Sequence, residues 1–319
     1  MSRPNLFRTF FTAANRTTKS SPFGPSFLSF PVQIKQANVM STPVLAAAAA
    51  GISALAYYTL RASPSDKPAF GSGFNVRSLK LHSTEQINHN TKKLRFELPD
   101  PSLVSGMTVS SALLTVSFPN GRWLPVLRPY TPTNDLDEPG YVDLMVKLYP
   151  GGKASSHLHS LQPGDSVTFA GPIPEHKWTT NQHEHVALIA GGAGITPMYQ
   201  LARRILKDPE EKTRVTLVWG VNSDADIFLG KEFAEFEQKY PGRFKAVYVV
   251  SQPEAGSTHR KGYVNKTVLE EVGLAASDEK NRDIKVLVCG PPAMEKALKD
   301  KKTGVLAELG YKPNQVIGF

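Results

Sequence analysis

Several absences limit what this chain can be. Cysteine occurs once in 319 residues, at Cys289, so no intramolecular disulfide can form and a cysteine-cluster metal site is excluded. Acidic residues are missing before Asp66, while Arg3, Arg8, Arg16, Lys19, Lys35 and Arg61 supply +6 of the formal net charge of +9. Subtracting +6 from +9 leaves +3 for the remainder, which does not describe a basic nucleic-acid-binding body, and no nucleic-acid partner is expected. A glycine is also missing. The loop Gly192-x-Gly194-x-x-Pro197 lacks the third glycine of the dinucleotide-binding fingerprint, so it is not a standard phosphate cradle.

What is present is globular. With 40% apolar and 20% charged residues, the length suits two domains behind a leader. Residues 1–35 are rich in Arg, Ser, Thr and Phe without acid, the composition of a mitochondrial presequence, although a disordered basic tail has the same composition. Gln36–Leu60 carries no charge. At ~1.5 Å per helical residue it is long enough to cross a ~30 Å hydrocarbon layer. Residues 36–61 are therefore expected to form one membrane anchor, with Tyr57, Tyr58 and Arg61 at the interface; an apolar part of a cleavable targeting signal is the alternative. Residues 62–73 follow as a linker.

From 74 to 171 the patterns are short and strand-like: Val76–Leu81, Leu94–Leu98, Val109–Phe118, Tyr141–Leu148 and Ser166–Ala170. In the fourth, Val142, Leu144, Val146 and Leu148 alternate with Tyr141, Asp143, Met145 and Lys147, putting the first set on one face. Many short strands between Pro and Gly turns predict an antiparallel barrel or sandwich. Two loops stand out. Arg128-Pro129-Tyr130-Thr131-Pro132 places a guanidinium, a phenol and a hydroxyl on backbone stiffened by proline, and an arginine can fork onto phosphate oxygens. Gly151-Gly152-Lys153-Ala154-Ser155 leads into a short helix whose first N–H groups can hold a phosphate. Either loop alone is more often a plain turn.

Residues 172–185 connect the domains. His176, His183 and His185 there match no metal-ligand spacing, and no metal is expected. From 186 to 319 apolar strands alternate with amphipathic helices, which predicts βαβ units and a doubly wound parallel sheet. Ligands in such sheets sit beyond the carboxyl ends of the strands, where Gly192–Thr196, Gly220 and Gly290–Pro292 all lie. Thr196 is placed to cap the helix that follows, with Pro197 at its first position. Cys289 is either a small buried hydrophobe or part of that crevice.

Four motifs in order, Arg-Pro-Tyr-Thr-Pro (128–132), Gly-Gly-Lys-x-Ser (151–155), Gly-Gly-x-Gly-Ile-Thr-Pro-Met (191–198) and Cys-Gly-Pro-Pro-x-Met (289–294), with Phe319 at the C-terminus, resemble the NADH–cytochrome b5 reductases, most closely the fungal mitochondrial type. The resemblance spans roughly 74–319. It implies a six-stranded FAD-binding barrel and an NADH-binding α/β domain, with hydride passing from NADH to FAD and single electrons passing to cytochrome b5 haem or a similar acceptor. Arg128 would meet the flavin pyrophosphate, Pro129 and Tyr130 the flavin, and Thr131 its reactive edge. Gly151, Gly152, Lys153 and Ser155 would line the adenosine side of FAD, and Lys147 would face NADH. Gly192, Gly194, Thr196 and Pro197 would shape the floor where nicotinamide meets flavin. Cys289 would orient the nicotinamide beside Gly290, Pro291 and Met294. Asp226, or Asp224 in another register, would accept the adenosine ribose hydroxyl and repel a 2′-phosphate. Ala154, Met107-Thr108, Ala193 and Ala293 depart from the usual pattern. The implied setting is the mitochondrial outer membrane, or a processed intermembrane-space form, with the enzyme as a monomer. A relative using a quinone or iron–sulfur acceptor, and a flavin-free tethered scaffold, are the competing readings.

Overall fold

The computed structural model describes residues 68–319 except 72, 122 and 175. The presequence and anchor expected in residues 1–61 lie outside the described residues. Among the described residues no helix is long and apolar enough to cross a membrane.

The first domain is a six-stranded antiparallel sheet: β1 (Asn75–Asn88), β2 (Thr91–Glu97), β3 (Ser111–Ser117), β4 (Val126–Tyr130), β5 (Tyr141–Lys147) and β6 (Ser166–Pro174). The order β4-β3-β6-β1-β2-β5 leaves β4 and β5 as unpaired edges, so the expected barrel is not closed by hydrogen bonds. Helix α1 (Lys153–Ser160) packs on both edge strands. Alternation in β5 works as expected: Val142, Leu144 and Val146 are buried against Phe96 and Phe169, whose rings meet edge to face at 5.0 Å. One detail differs: Leu148 is half-exposed because the strand ends at Lys147. The opposite face of β5 is also covered in part. Asp143, fully buried there, is gripped by Arg95 at 2.7 Å through both carboxylate oxygens and by Lys93 at 3.0 Å.

The second domain is a parallel sheet ordered β10-β9-β8-β7-β11-β12. Its strands are β7 (His185–Gly191), β8 (Arg214–Val221), β9 (Phe244–Val250), β10 (Arg260–Lys261), β11 (Ile284–Cys289) and β12 (Val316–Gly318). Helices α2 (Ile195–Lys207), α3 (Gly230–Lys239), α4 (Lys266–Glu271), α5 (Pro292–Lys299) and α6 (Val305–Glu308) cover it. Every residue of β7 is buried, as a strand sandwiched on both faces must be. Separate apolar clusters fill the two faces, one around Trp219 and Phe233, the other around Val286, Leu269 and Leu306. The chain switches direction between β7 and β11, which puts the crevice predicted for such sheets at their carboxyl ends.

The connection begins later than expected, since β6 runs to Pro174, and its histidines have separate structural tasks. His185 is buried on β7 between Asn281 and Thr216, each at 2.9 Å, while His183 pairs with Asp283 at 2.9 Å and His176 lies edge-on to Trp178.

Phe169→Ala, which removes a buried ring from the first sheet, should cost ~3–5 kcal/mol in urea denaturation. A loss below ~1 kcal/mol would show that the Phe96–Phe169 contact does not organise that core.

Candidate functional site

A cavity of about 600 Å³ opens between the two sheets. One wall comes from the first domain. Edge strand β4 carries Arg128, held opposite Thr115 of β3, whose hydroxyl donates to the Arg128 carbonyl at 3.1 Å. The strand ends at Tyr130, and Pro129, Tyr130 and Thr131 all line the cavity. Burial pushes the Tyr130 phenol up to about 12, so it stays neutral at physiological pH. From β5 come Met145 and Lys147, and beyond the strand end comes Tyr149.

The turn into α1 forms the lower edge. Gly152, Lys153, Ala154 and Ser155 line the cavity, with Gly152 at the helix N-cap. Ser155 is mostly turned inward: its hydroxyl donates to Gly152 O at 3.2 Å and accepts from Tyr149 N at 3.3 Å, tying the loop to the end of β5. The first N–H groups of α1 have no intrahelical acceptors and present a positive end. Arg128, Lys147 and Lys153 make this wall cationic, fitting a group that carries a diphosphate.

The second domain supplies the facing wall: Gly191, Ala193, Gly194, Thr196 and Pro197 after β7, Cys289, Gly290, Pro291, Pro292 and Glu295 after β11, and the C-terminal Phe319. Phe319 is fixed there by its N–H donating to Val288 O at 3.1 Å, an extension of the β11–β12 pairing. Gly194 lies against the end of β11. A Cβ there would be 2.6 Å from the Cys289 carbonyl carbon and closer still to its oxygen, so only glycine lets the two loops meet. Trp219, buried at the end of β8, donates to Gly192 O at 3.0 Å and holds the loop down.

Helix α2 begins differently from the expectation. Its N-cap is Gly194, and Thr196 is the second residue of the helix, donating back to Ala193 O at 3.3 Å. The tight 3-10 turn at Gly192–Gly194 starts the helical path early, which moves Thr196 and Pro197 inside it.

Gly220 at the end of β8 and four further expected residues lie off the cavity wall. Gly151 makes the preceding turn at φ +72°, and Gly192, at φ +52°, sits beneath the loop with its carbonyl taken by Trp219. Met294 packs behind Gly191 and Gly290. Asp226 is 4% exposed and its oxygens are already taken, Oδ1 by Lys147 Nζ and Asn90 Nδ2, both at 2.8 Å, and Oδ2 by Ser223 N at 3.1 Å. Burial alone would raise its carboxyl, but the hydrogen bonds from Lys147 and Asn90 outweigh this and lower it. Asp224 is also engaged, accepting from Ser257 Oγ and from Glu254 N at 2.7 Å.

The residues missed include Met145, Tyr149, Gly191 and Glu295. Tyr149 was within reach of sequence reasoning, because Met145, Lys147 and Tyr149 fall on one face of an alternating strand. Its phenol accepts the Ala193 N–H at 3.4 Å, bridging the two domains over the cavity. A second cavity of about 550 Å³, lined by Trp178, Gln200 and Arg203, contains none of the expected site residues.

Gly194→Ala should force the two loops apart, at a cost of ~1–3 kcal/mol in urea denaturation, and should lower the flavin content of purified protein. Unchanged stability together with unchanged flavin content would show that the Gly194–Cys289 approach is not required.

The sequence also matches two known domain families, the Oxidoreductase FAD-binding domain over residues 78–178 and the Oxidoreductase NAD-binding domain over residues 188–300. It is similar to the protein named NADH-cytochrome b5 reductase 2 in Emericella nidulans, with 47% identity over 81% of this chain and 82% of that one. Its counterpart in Pyricularia oryzae is 45% identical over 91% of this chain and 93% of that one. Among solved structures, the cytochrome b5 reductase domain of Ulva prolifera nitrate reductase superposes with a TM-score of 0.68 at 26% identity, covering 77% of this chain and 97% of that one. With its FAD-type and NAD-type domains meeting at one cavity and this likeness to curated relatives, the chain belongs to the NADH–cytochrome b5 reductase family.

Proposed function

We propose that this protein oxidises NADH through a bound FAD and passes the electrons singly to cytochrome b5 or a similar haem protein. One observation carries the reading: Arg128, Tyr130 and Thr131 from the first domain and Gly194, Thr196, Cys289 and Phe319 from the second line one cavity. FAD, when bound, supplies the conversion from a two-electron hydride donor to one-electron acceptors.

The protein's own part is to hold, orient and exclude water. Arg128 and the start of α1 offer charge and N–H groups to a diphosphate, while Tyr130 offers a flat, neutral face to a ring. Thr131, buried at the cavity wall, offers a hydroxyl toward the ring edge. Across from them the backbone of Gly191 and Gly194 takes up little room, so a second ring can approach the first. Cys289 and Phe319 shape the remaining side. Lys147 keeps an ammonium at the wall with N–H groups to spare for the polar parts of a dinucleotide. The curated relatives named as NADH-cytochrome b5 reductases support this donor and acceptor.

The composition of residues 1–35 and the uncharged stretch from Gln36 to Leu60 support a mitochondrial leader and one membrane anchor, and the family resemblance adds the outer membrane, or a processed intermembrane-space form, as the setting of a monomer. Sodium carbonate extraction with protease protection tests it. Complete release of full-length protein into the soluble fraction would sink the anchor.

The purified protein should be yellow, and its flavin absorbance should bleach on mixing with NADH under anaerobic conditions. Protein that cannot be loaded with FAD would end the enzymatic reading. Arg128→Ala should weaken FAD retention by ~10–100-fold, the loss of a charge-assisted hydrogen bond. Normal flavin occupancy in dilute solution would contradict a diphosphate role for Arg128.

A further inference from the structure

Helix α2 is shared by two cavities. Thr196 and Pro197 in its first turn line the cavity that holds Arg128 and Cys289. Further along, Gln200, Arg203, Arg204 and Lys207, which fall on one face of the helix, line the second cavity, of about 550 Å³. The opposite face, with Leu201, Ala202, Ile205 and Leu206, is buried in the core of the second domain. The second cavity is within the ~300–1,000 Å³ common for small-molecule sites.

Its floor is apolar and comes from both domains. Met107 and Leu136 belong to the core of the first, while Val109 and Trp178 pack onto that of the second. Trp178 is fixed in place, since its indole N–H donates to Glu211 at 2.9 Å and the His176 ring lies edge-on to it at 6.4 Å. Burial holds the His176 imidazole below its ordinary value, with Lys285 and His183 adding to the effect, so at neutral pH this corner presents two uncharged rings. A flat apolar group can stack there.

Charge is confined to the rim. The lining side chains carry four cations, Lys177, Arg203, Arg204 and Lys207, against two carboxylates, Asp135 and Asp137. Asp135 is taken by Lys207 and Arg203, and Arg203 also donates to Thr133 O at 3.2 Å. Both amide atoms of Gln200 are engaged as well, with Ser110 N at 2.8 Å and Pro132 O at 3.2 Å. Lys177 and Arg204 differ: both are exposed, and neither makes an ion pair among the described residues. They reach the rim from separate elements, the connection between the domains and α2.

We infer that this second cavity binds a small aromatic carboxylate, its ring against Trp178 and His176 and its acid head at Lys177 and Arg204. The two cations supply charge-assisted hydrogen bonds and the rings supply an apolar face, so the site favours a ligand with both parts over a bare anion or a neutral ring. Because the floor belongs to both domains, an occupant is held across the seam. The site is separate from the cavity of Arg128 and Cys289, and it stands whether or not NADH is the electron donor.

The probe is naphthoate, titrated by calorimetry into the full-length protein with NAD⁺ in excess, which keeps the probe out of the first cavity. One site per chain is expected, and the melting temperature should rise with probe concentration. Arg204→Glu and Lys177→Glu should each weaken binding about fivefold, the scale of an exposed ion pair reversed in sign, and Asp137→Asn should strengthen it about twofold. None of these residues lines the first cavity, so rates of NADH oxidation should match the unsubstituted protein. Naphthalenemethanol, the same ring without the charge, should bind about fivefold more weakly, and inorganic phosphate about tenfold more weakly.

Three results would overturn the proposal: no binding of millimolar naphthoate while NAD⁺ is present, an affinity unchanged in both Arg204→Glu and Lys177→Glu, or naphthalenemethanol or phosphate binding as tightly as naphthoate.

Discussion

The site exists only because the two domains are held against each other, and the seam between them is the constraint on which the rest depends. Part of it is apolar: Ile87, Val109 and Met145 of the first domain pack onto the core of the second. Part is polar and buried. Gln200 on α2 accepts from Ser110 N at 2.8 Å and donates to Pro132 O at 3.2 Å, and Arg203 reaches Thr133 O at 3.2 Å. Lys147, Asp226 and Asn90 complete it at the far end of β5. A buried ion pair of this kind adds little net stability, because removing two charges from water costs about what their attraction returns. Its effect is on geometry, since the remaining acceptor sites of Asp226 are taken by Asn90 and Ser223 and the seam is satisfied in this register.

Within that frame, the distance between the cavity walls is set by backbone. Gly194 meets the end of β11 where no side chain fits, and Tyr149 reaches across to Ala193. The glycine-rich loop therefore shapes the space where two rings can face each other. The cationic wall of Arg128, Lys147 and Lys153 is on the other domain, beside the N-terminus of α1. The cationic wall and the glycine-rich loop thus stand on different domains, and that loop lacks the third glycine of the dinucleotide fingerprint.

Much of this was legible in the residues. Alternation in Tyr141–Lys147 and continuous apolar runs such as Val186–Ala190 declare half-buried and fully buried strands, because side-chain period and burial are properties of the local chain. Edge strand β4 was harder, since Pro129 and the exposed Arg128 interrupt any pattern, and a strand without an outer partner needs none. The helix start at Ile195 was misplaced because Thr196-Pro197 is a good capping signal, yet the 3-10 turn before it had already begun the helix.

The sequence by itself determined two domain types, their order, the loops that would meet at strand ends and most of the residues lining the cavity, because these follow from periodicity, turn chemistry and motif spacing along one chain. Only the tertiary structure decided the fate of Asp226 and Lys147. Residues 79 positions apart pair across the domain seam, and no local pattern encodes that distance. The carboxylate whose type suits a ribose hydroxyl lies 2.8 Å from a buried ammonium, which would otherwise be left without a counter-charge.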